Sequence, residues 1–174
     1  MFVYIQEITI TNQHYPGLAS MDWLNRPVSI SVADKQNVAL EECRALIPSE
    51  QLVEGLKKCG YSTLFPVQHA LLENFRNFRD YGVVAPTGSG KTLAYIIPIL
   101  NDLMSRRVVR LRALIIVPTR VLALQAYKTM HDIVTAIPDC DLQVGCATGK
   151  TALSKEQDRI LDTQERKSRV DILI

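Results

Sequence analysis

No stretch of the 174-residue sequence is apolar for long enough to cross a bilayer. Its start, Met1-Phe2-Val3-Tyr4-Ile5-Gln6-Glu7, lacks the basic lead and long apolar centre of a secretory signal. The expectation is therefore a soluble intracellular protein with no membrane partner. Cysteine is sparse, and the four present (Cys43, Cys59, Cys140, Cys146) form no C-x-x-C pair. That pattern excludes the common zinc and disulfide frameworks, so free thiols are expected. Charge of one sign is also scarce: 20 Lys and Arg against 18 Asp and Glu leave a net +2, which says little about nucleic acid. The basic residues do gather locally, at Arg106, Arg107, Arg110 and Arg112, and again at Lys150, Lys155, Arg159, Arg166, Lys167 and Arg169. Basic runs are more often solvated faces than binding sites, and acidic Glu156, Asp158, Asp162 and Glu165 interleave with the second run, which leaves direct RNA contact the lesser reading.

What the chain does have is enough apolar content, 47% hydrophobic against 22% charged, to build a core. Turn signals at Tyr15-Pro16-Gly17 and Asn25-Arg26-Pro27, with short β-favouring pieces at Val3 to Ile10 and Val28 to Val32, suggest a loosely structured N-terminal extension over 1–44. Pro48-Ser49-Glu50 then opens a helix carrying Leu52, Val53 and Leu56, which Gly60 ends in a left-handed cap. A second helix follows Pro66, and together they form a helical region over 45–81. From Gly82 onward the pattern alternates. Strands are expected at Gly82 to Ala85, Ala113 to Val117, Leu142 to Cys146 and Val170 to Ile174, and helices at Lys91 to Met104, Val121 to Ile137 and about Ser154 to Gln164. Repeated β-α units of this kind predict an α/β domain over 82–174: a parallel sheet with helices on both faces, doubly wound and RecA-like, incomplete at its C-terminus.

The chemistry concentrates in Ala85-Pro86-Thr87-Gly88-Ser89-Gly90-Lys91-Thr92, between the apolar Tyr81 to Val84 and the helical Leu93 to Ile97. A Gly-rich loop between strand and helix can turn its N–H groups onto phosphate oxygens, because Gly88 and Gly90 bring the backbone close without a Cβ. Lys91 would set a charge on the β/γ oxygens and Thr92 a hydroxyl on Mg²⁺, at a helix N-terminus that itself favours anions. One β-α unit later, Pro118-Thr119-Arg120-Val121-Leu122-Ala123-Leu124-Gln125 places a hydroxyl and a guanidinium at a second strand-to-helix turn, where they can grip phosphate.

With Ala85 where the strict P-loop has glycine, the first run resembles motif I (AxTGSGKT) of the DEAD-box RNA helicases. The second resembles their motif Ia (PTRELAxQ), with Val121 for glutamate. Gly60-Tyr61 and Phe65-Pro66-Val67-Gln68 are similar to the Q motif, whose glutamine reads the N6 and N7 edge of adenine. Two features depart from that pattern. The proline stands two residues before Gln68, and the family's upstream aromatic falls on Cys43. Thr148-Gly149-Lys150 is similar to the family's glycine doublet with lysine second, and Asp171-Ile172-Leu173-Ile174 looks like the strand leading into TPGR.

The resemblance implies an ATP-dependent RNA helicase using ATP and Mg²⁺. Gln68 and Ala85 to Thr92 would hold the nucleotide, Lys91 and Thr92 would serve catalysis with Thr92 on the metal, and Pro118, Thr119, Arg120, Gly149 and Lys150 would meet the RNA backbone. The FPVQ and TGK forms look like the subgroup acting in large ribosomal subunit assembly. They imply rRNA processing, a nuclear and nucleolar location, and possible pre-ribosomal protein partners. No D-E-A-D or S-A-T string occurs, so the chain reads as the amino-terminal piece of a longer helicase, inactive alone. Another P-loop NTPase, or a catalytically silent RNA- or nucleotide-binding module, are the other classes left open.

Overall fold

Local capping chemistry sets where the helices begin. In the computed structural model, which describes residues 2–4, 36–75, 81–105, 108–150, 152–162, 164–165 and 167–174 (backbone only at 2–4 and 153), α1 runs Glu50–Lys58. Ser49 sits in extended conformation just before it, and its Oγ accepts the Leu52 N–H at 3.2 Å. The helix stops at Gly60, whose φ of +87° is left-handed, with the Gly60 N–H donated to Lys57 O. Helix α2 (Pro66–Asn74) starts with proline at its first position, where no N–H is needed, and Gln68 Oε1 accepts the Phe65 N–H at 2.8 Å. Helix α3 (Lys91–Leu103) is buried along most of its length, from Ala94 to Leu100. Helix α4 (Arg120–Ala136) opens on Thr119, whose Oγ1 accepts the Leu122 N–H at 3.3 Å, and buries the stripe Ala123, Ala126, Met130 and Ile133.

Among the described residues four parallel strands form the main sheet, in the order β1 (Phe2–Tyr4), β4 (Ala113–Ile116), β8 (Ile172–Leu173), β5 (Val144–Gly145). The register sets Phe2 beside Leu114, Ala113 beside Ile172, and Val144 beside Ile172. Two short antiparallel ladders stand apart: β2 (Val38–Ala39) with β3 (Thr63–Leu64), and β6 (Leu161–Asp162) with β7 (Lys167–Ser168). One apolar core joins Leu40, Cys43, Leu52 and Leu56 to Ile96, Leu100, Met130, Ile133 and Ile172. Among the described residues no helix is long and apolar enough to cross a membrane. All four cysteines are free thiols.

Three sequence expectations need correction. Phe2–Tyr4, expected in a loose extension, joins the sheet as β1, and Leu40 and Cys43 are core residues, because their apolar side chains face α1 and its neighbours. The rest of the early reading (5–35, with its turns and Val28 to Val32) lies outside the described residues, as do Arg106, Arg107 and Arg166 of the basic runs. Gly82 to Ala85 forms no ladder among the described residues. Apolar character supplies no pairing partner by itself, and Val84 remains 76% exposed. The last helix, α5, covers only Leu153–Ile160. Asp162 Oδ1 takes the N–H groups of Gln164 and Glu165 at 3.1 and 3.0 Å, an Asx turn that reverses the chain into β7. Lys167 and Arg169 of the second basic run pair with Glu165 and Asp162, so these two serve the hairpin.

Helices α1 and α4 meet through Gly55, which is buried. A Cβ there would stand 2.5 Å from Ile137 Cγ1 and 3.1 Å from its backbone N. Alanine would gain about 1 kcal/mol of helix propensity. Overpacking against backbone outweighs that gain, and Gly55→Ala is expected to cost about 1–3 kcal/mol net. Urea denaturation checks it, and an unchanged or higher midpoint would contradict the contact.

Candidate nucleotide and RNA-backbone site

The segment Tyr81 to Gly90 leads directly into α3, so the first helical residue is Lys91 itself. Gly88 and Gly90 hold φ of +79° and +87°, which side chains rarely adopt, and the loop folds tightly enough for Ser89 N–H to reach Pro86 O at 3.3 Å. Lys91 Nζ donates to the carbonyls of Ala85 and of Pro86, the latter at 2.9 Å. The ammonium therefore rests on its own loop's oxygens, which mimic in partial charge what phosphate oxygens would offer in full. Ser89 Oγ is buried with no hydrogen-bond partner among the described residues. A loop with an orphaned hydroxyl, two left-handed glycines and a lysine on neutral carbonyls fits a triphosphate tail; when bound, ATP with Mg²⁺ would supply the cleavable phosphoanhydride.

Thr92 follows on the first turn of α3. The Tyr95 phenol, buried one turn later, has its pKa raised by burial, and a hydrogen bond with the Thr92 side chain pulls it partly back. Sequence pattern alone singled out Thr92 and not Tyr95, whose aromatic ring reads simply as core.

Gln68 is engaged with the protein at both ends of its amide. Its Oε1 is taken by the Phe65 N–H and its Nε2 donates to Gly90 O at 3.0 Å, and the residue is 2% exposed. Each end of the amide makes one bond to protein, tying the start of α2 to the phosphate loop. Cys43, at the position where the family has an aromatic, is fully buried, and that burial raises its thiol pKa. It offers no surface on which a base could stack.

The strand β4 delivers the second group of candidates. Pro118, Thr119 and Arg120 are exposed at the start of α4, with Thr119 Oγ1 engaged as the cap. Arg120 Nη2 donates to Gly149 O at 3.5 Å, which brings Arg120 together with the Thr148-Gly149-Lys150 turn. Gly149 has φ of +64°, while Lys150 is exposed and not in the left-handed region, so lysine there strains nothing. Between the two groups lies a cleft of about 260 Å³ lined by Val84, Lys91, Thr92, Tyr95, Ile116 and Gln125, among others. Lys91 and the turn after β4 therefore border one crevice at the carboxyl ends of the strands, the usual ligand position in open α/β sheets.

A buried acid that sequence pattern did not mark completes the picture. Glu156 is 8% exposed, and its Oε2 accepts the Gly149 N–H at 3.3 Å. In sequence it is one of the acids interleaved with a basic run, and nothing in that run's composition distinguishes it.

Comparison with known proteins identifies the family of the chain. The family model described as DEAD/DEAH box helicase matches residues 65–174. The DEAD-box ATP-dependent RNA helicase 1 of Arabidopsis thaliana is 40% identical over 81% of this chain and 26% of its own length. The ATP-dependent RNA helicase dbp6 of Schizosaccharomyces pombe is 35% identical over 98% and 29%, and DDX51 of Mus musculus 32% over 80% and 23%. The chain thus spans roughly a quarter of these relatives. Among solved structures, the yeast DEAD-box splicing factor Prp28 aligns with a TM-score of 0.61 at 27% identity, covering 74% of this chain and 30% of that one. Mss116 bound to ssRNA and AMP-PNP aligns at 0.63 and 23% identity, covering 81% and 28%. With a family model matching well over half its length and relatives sharing a third or more of its residues, this chain belongs to the DEAD/DEAH box helicases.

Proposed function

We propose that the chain is the nucleotide-binding and RNA-backbone-binding part of the first RecA-like domain of an ATP-dependent RNA helicase. In this reading 82–174 is the domain proper, 45–81 the helical region carrying the Q motif, and 1–44 an extension that lends β1 to the sheet. The observation that carries it is the glycine loop: left-handed Gly88 and Gly90, a buried Ser89 Oγ with no partner among the described residues, and Lys91 held on neutral carbonyls at the head of α3. ATP with Mg²⁺ is the proposed ligand, held by Ala85 to Thr92, with Thr92 nearest the metal. Gln68 contributes by fixing the loop. Pro118, Thr119, Arg120, Gly149 and Lys150 form the proposed RNA surface, which would take phosphate and 2′-OH groups without reading sequence. Relatives of the dbp6 and DDX51 type, together with the FPVQ and TGK forms, support a role in ribosome assembly and rRNA processing in the nucleolus.

Hydrolysis in this family needs carboxylates that position water and arginines from a second domain. Without a positioned base the rate falls by about 10²–10⁴, and without an arginine finger by a further 10³–10⁵. Titration of a fluorescent ATP analogue into the 174-residue chain is expected to show Mg²⁺-dependent binding with negligible phosphate release. Absence of binding would overturn the site, and full-rate turnover by this chain alone would overturn the mechanism.

A further inference from the structure

Glu156 has the position of a group that works through its neighbour. It lies on α5, which packs under the Thr148 to Lys150 turn, and burying a carboxylate is costly unless the charge finds partners. Among the described residues no cation stands within ion-pairing distance of it; the hydrogen bond it makes there is from the Gly149 amide. The other end of the same residue is held too, since Gly149 O accepts from Arg120 Nη2. One glycine in a left-handed conformation is therefore clamped at its N–H by an acid from α5 and at its carbonyl by an arginine from α4.

We propose that Glu156 is a positioning residue of the RNA-backbone surface, fixing Gly149 so that Lys150 and the remaining Arg120 donors face a phosphate strand together. The inference rests on the RNA reading above and deepens it. It removes the Gly149 N–H from the list of groups available to RNA, because Glu156 already takes it. It also gives the lone glycine of this turn a conformational role and leaves direct contact to Lys150 and to Arg120, whose guanidinium has five N–H donors and spends one here on Gly149. An acid placed beside a phosphate-binding surface would ordinarily repel the ligand, so its placement below the turn, with its charge turned onto a backbone amide, is what makes it useful.

The test uses the full chain and a short fluorescein-labelled oligouridylate, read by anisotropy, alongside amide hydrogen exchange over 147–150. Glu156→Ala is expected to weaken RNA binding about tenfold, the loss associated with one hydrogen bond. It should also speed exchange at Gly149 while leaving protection by ATP against heating intact. Glu156→Gln keeps an oxygen acceptor and is expected to restore both readouts to near wild type, which a purely electrostatic role would not allow. If Glu156→Ala does not fold, Glu156→Asp, one methylene too short to reach, takes its place with the same expectation. Tighter RNA binding by both the Ala and Gln variants would show simple repulsion and overturn the proposal, as would unchanged binding and exchange in Glu156→Ala. A wild-type chain that binds no RNA would instead sink the RNA surface itself, and the exchange data would still decide whether Glu156 holds the turn.

Discussion

Gly90→Ala is expected to abolish nucleotide binding and to destabilise the fold by about 3 kcal/mol or more, the range reached when a strained backbone and a broken buried network coincide. Gly90 carries φ of +87°, which costs an alanine roughly 1–2 kcal/mol. A Cβ there would stand 2.3 Å from Gln68 Nε2 and 2.9 Å from Phe65 Cδ2, closer than atoms tolerate. Gln68 would be driven out. That would leave the Phe65 N–H and Gly90 O without the partners they now have, each such loss costing about 1–3 kcal/mol where water cannot reach. For a chain of this size the melting temperature should fall by roughly 6–12 °C. Gly88→Ala is the control: its φ is +79°, yet a Cβ there would meet nothing within 4 Å, so only the backbone cost applies. Scanning fluorimetry with and without ATP and Mg²⁺ reads both variants. Equal melting losses at the two positions would show that the Gln68 contact carries no weight.

Lys91→Ala should give the opposite division between stability and binding. In the free protein Nζ bonds the carbonyls of Ala85 and Pro86 at a half-exposed site, where water can replace it. The expected stability loss is therefore below about 1 kcal/mol. Toward a nucleotide the same group would make charge-assisted contacts worth about 1.5–3 kcal/mol, so affinity should drop roughly 10- to 100-fold. Isothermal titration with ATP and Mg²⁺, beside an unfolding curve, separates the two quantities. A variant that loses stability but keeps its affinity would make Lys91 a loop staple and nothing more.

The helices were legible because their signals are local. Ser49 and Thr119 cap, Pro66 starts and Gly60 stops, and each acts within a few residues of where it stands. The phosphate loop was legible for the same reason, since glycine spacing and a following lysine are contiguous. Pairing is not local: nothing in Phe2–Tyr4 announces that its partner is Leu114 to Ile116, and nothing in Gly82 to Ala85 announces that it joins no ladder among the described residues. Side-chain direction was hidden too. Gln68 matches an adenine reader by type, yet the geometry of a cap and the nearness of Gly90 turn its amide onto protein. Glu156 could be recognised only once α5 had folded beneath Gly149, because a buried acid and an exposed one look alike in a polar run.

The inner strand β4 takes one neighbour from residue 2 onward and the other from residue 172 onward. Its ladder therefore cannot be completed until segments as far apart in sequence as Phe2 and Ile172 have found each other, and a ring closure of that length is entropically demanding. Such remote contacts make acquisition of the native state slow relative to that of a helical bundle. During synthesis this sheet could not close until Leu173 had left the ribosome, however early β1 and β4 emerged.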